Sequence, residues 1–169
     1  MSDAYELATW QWLPRPRPGV FAFFADARNL ERITPAFLNF HVLSAGPIEM
    51  RAGARIDYRL RLRGVPLLWR SDITVWEPPH HFVDEQRRGP YRQWTHTHTF
   101  EDEAGGTMVR DHVLYRLPGP DLVTPVVNAV LVAPDTRRIF AFRHTALEEC
   151  LGLAGQTRSG PVTIVRHRL

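Results

Sequence analysis

Lysine is absent from this 169-residue chain; all 21 basic residues are arginine, set against 18 acidic residues for a formal charge of +3. A chain-wide arginine bias interspersed with carboxylates marks a mixed, solvated surface, so no nucleic-acid partner is expected despite a pI near 9.6. A single cysteine, Cys150, excludes an internal disulfide framework and suits a reducing compartment. No apolar run could cross a bilayer: the charge-free stretch from Leu122 to Pro134 is too short and is interrupted by Pro125. Asp3 and Glu6 precede any apolar run and no basic leader is visible, so a cytoplasmic location without a secretory signal is expected. Also missing are a glycine-rich phosphate loop and a G-x-S-x-G setting around Ser71, which removes nucleotide-cradling and serine-acylating chemistry.

What is present reads as one domain. "AYELATWQW", Ala4 to Trp12, favours a strand, and "RPRPGVFAFFADARNLERITP" then predicts two short helices, the first begun at Pro16 or Pro18 and the second capped by Asp26 or Asn29 and stopped near Pro35. "RIDYRLRLR", Arg55 to Arg63, alternates with Ile56, Tyr58, Leu60 and Leu62 on one face and five charged residues on the other. Turn signals at "GVP", "EPPH", "RGP" and "EDEAGG" divide the following sequence into further strands, an antiparallel meander. A C-terminal helix is predicted from a cap at Asp135 or Thr136, through a stripe of Ile139, Phe142, Ala146 and Cys150, to a stop at Gly152. Residues 1–152 form the expected domain, and 153–169 a flexible basic tail or weakly attached strand.

"HTHTF", residues 96 to 100, carries the chemistry. On a strand, Trp94, His96, His98 and Phe100 share one side. Extending the parity gives the expected pocket lining: Tyr58; Trp69 and Ser71; Asp84 and Gln86; Trp94, His96 and His98; Asp111 and Tyr115. Aromatic residues mixed with a few polar groups fit a ligand pocket better than a dry core. Arg143, four residues from both Ile139 and Leu147, lies near the helix stripe and could meet Asp111 or an anionic ligand head, or run along the edge of the stripe to solvent. His96 or His98 could equally pair with Asp84 or Asp111 as a structural network, and one slipped register would send both histidines to solvent. The i, i+2 histidines could chelate a metal from a strand, recruiting Asp84 or Asp111, but the glycine, acidic and third-histidine positions of a cupin do not match and the element order disagrees with a jelly roll, so no metal and no cofactor are expected.

The element order, with "NLERITPAFLNFHVL", "IDYRLRLRGVPLLWRSDITVWEPPHHFVDEQRRGPYRQWTHTHTF", "TMVRDHVLYRLP" and "RRIFAFR", resembles the SRPBCC superfamily of START domains, polyketide cyclases and the birch-pollen allergen, in particular its bacterial members of unassigned role. The resemblance covers roughly Tyr5 to Leu151. It implies an α+β helix-grip fold, a curved antiparallel sheet with two short helices wrapped around a long C-terminal helix, and a hydrophobic or amphipathic small-molecule ligand. It does not imply a reaction, since members include enzymes and carriers. The reading therefore leans to a cofactor-free carrier or sensor. The alternatives are a cyclase or dehydratase using a His/Asp pair, with His96, His98 and Asp111 as candidates, and an interaction module presenting Arg55, Arg59, Arg61 and Arg63 to an acidic partner. Homodimerisation is left open.

Overall fold

The structure, a computed structural model, describes residues 3–168. Strand β1 (Asp3–Leu13) is followed by helices α1 (Arg17–Phe24) and α2 (Asn29–Arg32) and a short 3-10 turn at Ala36–Leu38. The strands β2 (His41–Val42), β3 (Arg55–Leu62), β4 (Val65–Glu77), β5 (His81–Arg88), β6 (Gln93–Glu103) and β7 (Gly106–Arg116) then run as an antiparallel meander. Its last strand, β7, returns to pair with β1 from Tyr5 opposite Tyr115 to Leu13 opposite Thr107.

The hairpin turns follow from local stereochemistry. Arg63–Gly64 and Ala104–Gly105 each place two successive residues at positive φ, the conformation of the two-residue turns that match strand twist. The alternation in β3 is realised directly: Ile56, Tyr58 and Leu60 are buried while Arg55, Arg59 and Arg61 face water. In β4 the pairing with β5 shifts between Ile73 and Val75. The extra residue moves the inward parity from Trp69, Ser71 and Ile73 to Trp76, whose ring packs 5.2 Å from Phe21.

The C-terminal helix starts earlier than the sequence suggests. Helix α3 (Thr124–Val127), a π-helical segment (Asn128–Val132) and α4 (Ala133–Leu151) follow without interruption, and neither Asp135 nor Thr136 is a cap. Pro134 sits at the start of α4 and brings no N–H to the ladder there; the wider π turn lies directly before it. The Thr136 hydroxyl donates to the carbonyl of Val132, 2.6 Å away. Of the expected stripe, Ala146 is buried and Ile139 and Cys150 are half-buried, and Phe142 alone faces outward. Thr136, Phe140, Arg143 and Leu147 point inward, while Phe142 is 40% exposed. Gly152, at φ 66°, ends the helix as expected.

Of the two expectations for the C-terminal segment, the strand is the one the structure contains. Strands β8 (Arg158–Ser159) and β9 (Thr163–Arg168) pair with the free edge of β1, β9 from Ala8 opposite Thr163 to Asp3 opposite Arg168. Their pairing covers an edge that would otherwise present unpaired backbone groups, and Ile164 packs against the cluster of Leu7, Val113, Tyr115 and Phe140.

Candidate functional site

Between the concave sheet face, the short N-terminal helices and α4 lies a cavity of about 190 Å³. One water needs about 10–15 Å³, so this is a chamber and not a packing defect. Its walls are mainly apolar. Phe24 and Leu30 come from the short helices, Tyr58 and Leu60 from β3, Trp69 and Ile73 from β4, and Ile139 and Phe140 from α4. The polar groups are Ser71, Asp84, His96, His98, Thr136 and Arg143, with Asp26, Asn29 and Thr34 on the helix side.

Strand parity places Tyr58, Trp69, Ser71, Asp84, Trp94, His96 and His98 on the cavity wall, and Arg143 reaches it from the helix. Three other expected residues do not line it. Gln86 has the right parity, but its amide donates to the Tyr91 carbonyl at 2.7 Å and accepts the Tyr91 N–H at 3.3 Å, tying the β5–β6 loop. Tyr115 lies under the C-terminal helix, where it packs with Phe140 of α4 and its hydroxyl donates to Asn128 of the π-helical segment at 2.8 Å. Asp111 is also on β7, beneath the helix and behind the histidines. Sequence parity identifies a face; it does not say which part of that face the helix covers. Thr136, Ile139 and Phe140, and the wall from α1 and α2, were missed because helix–sheet docking brings them in.

The two histidines of "HTHTF" belong to a four-membered cluster. His96 and His98 stack with ring centroids 3.7 Å apart. Nε2 of His96 lies 2.8 Å from Oδ1 of Asp111, and Nε2 of His98 lies 2.9 Å from Oδ2 of Asp84. Oδ1 of Asp84 accepts a long hydrogen bond from Ser71, which itself accepts from the Trp69 indole at 3.1 Å. Burial and the neighbouring His98 push the His96 imidazole down to about 4, more than its contacts with Asp111 and Asp84 can restore, so it is neutral at physiological pH. For Asp111, burial opposes ionisation, but the Arg143 charge and the two adjacent imidazoles, His96 hydrogen-bonded to it, outweigh it and hold the carboxyl well below its usual range. Asp84 is lowered on the same balance, with His98 as its main partner. Burial and the Asp84 charge raise the Tyr58 phenol, leaving a neutral hydroxyl on the wall.

Arg143 is not the edge-running arginine considered above: it is 7% exposed. Its guanidinium lies 5.3 Å from the Phe24 ring and 3.9 Å from Asp111, and among the described residues it makes no hydrogen bond. The outer arginine face is partly committed elsewhere, since Arg55 pairs with Asp72 and Arg63 with Asp135. Among the described residues no helix is long and apolar enough to cross a membrane.

A curved antiparallel sheet gripping a long helix around an apolar chamber is the architecture of a helix-grip protein. The chain belongs to the family described as polyketide cyclase / dehydrase and lipid transport, which its sequence matches over residues 13–143. No curated protein sequence matches it. Among solved structures, TTHA0849 from Thermus thermophilus superposes with a TM-score of 0.65 at 19% identity, over 89% of this chain and 99% of that one. Major latex-like protein 151 from Panax ginseng gives 0.61 at 9% identity, over 87% and 97%. The nucleoside-diphosphate sugar epimerase from Corynebacterium glutamicum gives 0.64 at 26% identity over 86% of this chain, but the match spans only 29% of that chain.

Proposed function

We propose that the protein binds a small amphipathic molecule in the cavity, its apolar body against the aromatic wall and an anionic or strongly accepting head at Arg143. The observation that carries this reading is the Arg143 guanidinium: buried, on the chamber wall, and without a hydrogen bond among the described residues. A buried cation left short of acceptors is costly, and a ligand anion would supply them. The family description, which includes lipid transport, agrees with a binding role.

The test is a fluorescence titration with two probes, anilinonaphthalene sulfonate and neutral phenylnaphthylamine. The sulfonate should bind more tightly, and Arg143→Leu should weaken it about 10- to 100-fold, the equivalent of one charge-assisted hydrogen bond, with little effect on the neutral probe. Equal losses for both probes, or none for either, would overturn the assignment. A second reading, acid–base turnover of a poly-β-carbonyl compound, is favoured by one observation: His96 is a neutral imidazole oriented by a carboxylate. Consumption of such a substrate by the protein, abolished in His96→Gln, would select it.

A further inference from the structure

The two histidines divide their nitrogens between two carboxylates. On one side, Oδ1 of Asp111 faces Nε2 of His96 at 2.8 Å and Nδ1 of His98 at 3.2 Å. On the other, Oδ2 of Asp84 faces Nε2 of His98 at 2.9 Å and Nδ1 of His96 at 3.7 Å. Nδ1 of His98 is buried without a hydrogen bond, so the network leaves donor and acceptor capacity unused. Asp84, His96 and His98 each offer a ligand atom, all within 4.8 Å of one another.

We propose that Oδ2 of Asp84, Nδ1 of His96 and Nε2 of His98 bind a divalent first-row transition ion of the zinc class. Atoms about 2.0–2.1 Å from one ion lie about 3.3 Å apart in a tetrahedron, and the separations of 2.9 and 3.7 Å fall on either side of that value. Asp111 occupies the outer position that orients metal-bound histidines. By accepting from Nε2 of His96, it selects the tautomer whose Nδ1 lone pair faces Asp84; Nδ1 of His98, 3.2 Å from the same oxygen and not hydrogen-bonded, is placed to carry the ring proton once Nε2 turns from its hydrogen bond with Asp84 to the ion. The rings are also fixed by packing, His98 stacked on Phe82 at 4.1 Å and His96 edge-on to Phe140 at 5.5 Å.

The charges agree with this assignment. Asp84 on the chamber wall and Asp111 buried behind the histidines place two carboxylates in apolar surroundings, and Arg143 stands 3.9 Å from Asp111. A divalent ion offsets Asp84 and leaves Asp111 with the guanidinium. Two imidazoles and one carboxylate suit zinc, cobalt or ferrous iron, not calcium or magnesium, which take oxygen ligands. Three protein ligands leave a coordination position open, and because all three residues line the cavity, it faces the chamber. The sequence expectation of no metal rested on the mismatch with the cupin pattern, with Asp84 or Asp111 as the residues a metal could still recruit. The third ligand is the first of these, on the adjacent strand, where Asp84 stands opposite His96.

Untagged full-length protein, stripped with a chelator and dialysed, is titrated with Co²⁺ and then with competing Zn²⁺. Visible ligand-field bands should grow to one ion per chain and be lost to Zn²⁺. Asp84→Asn should weaken Co²⁺ binding at least about 100-fold, and Asp111→Asn, one shell out, about 10- to 100-fold. Zn²⁺ should also raise the melting temperature of the wild-type protein, a readout that needs no variant. Absence of both the bands and the melting shift in wild-type protein would overturn the site, as would bands unchanged in a folded Asp84→Asn. No organic ligand enters the assay, so its outcome is separate from that of the amphipathic-ligand proposal.

Discussion

Replacing His96 by leucine in metal-free protein isolates the energetic role of the cluster. The substitution keeps an apolar side chain of similar size and removes the donor 2.8 Å from Oδ1 of Asp111, a buried carboxylate on β7. What remains near Asp111 is Nδ1 of His98 at 3.2 Å, not hydrogen-bonded, and the Arg143 guanidinium at 3.9 Å. Loss of one hydrogen bond to a charged, buried acceptor costs about 1.5–3 kcal/mol. For a domain of this size that is a fall in melting temperature of roughly 3–12 °C. The double variant His96→Leu/Asp111→Leu removes the stranded carboxylate as well, so it should be more stable than the sum of the two single losses by about 1 kcal/mol or more. As a surface control, Arg110→Ala breaks the exposed pair with Glu101, also 2.8 Å long, and should cost under about 1 kcal/mol. Urea unfolding of the wild type, the two single variants, the double variant and the surface control, with a chelator present, gives the cycle directly. Strict additivity, or a His96→Leu loss no larger than that of the surface control, would refute the view that the histidines and aspartates act as one buried unit.

Two further outcomes follow from the same geometry. His96 titrates near 4 in the folded chain against 6.5 for an ordinary histidine, so the unfolded chain takes up its proton first as the pH falls. Its stabilising contribution is complete above about pH 6.5 and is lost between there and about pH 4, with a slope of at most about 1.4 kcal/mol per pH unit. Urea midpoints measured across that window in metal-free protein should fall less steeply for His96→Leu; parallel curves would contradict the assignment. At Gly106, a Cβ would stand 2.3 Å from the backbone carbonyl oxygen of Leu13 and 2.8 Å from the Trp12 ring. Gly106→Ala should therefore cost about 1–3 kcal/mol by forcing β1 and β7 apart, measured by thermal melt; a neutral outcome would show that this strand pair yields without cost.

Much of this protein is legible in its sequence, because strand parity and helix capping are local. Alternation in Arg55–Leu62 fixed the wet and dry faces, and the same rule put Asp84, His96 and His98 on one wall without any knowledge of the fold. Gly152 stops the last helix through its own left-handed backbone. Pairing is not local. The β5–β6 and β6–β7 registers bring both carboxylates beside the histidines, Asp84 opposite His96 and Asp111 opposite His98, and the hydrogen bonds then run diagonally, His96 to Asp111 and His98 to Asp84. Arg143 could not be told from an arginine reaching solvent until α4 was docked, since its burial comes from Phe24 and Phe140 closing over it. The same docking covers Asp111 and Tyr115 on β7 while leaving β3 to β6 open to the chamber. A residue's own strand decides which way it points, but whether it meets a cavity or a core is decided by what packs above it.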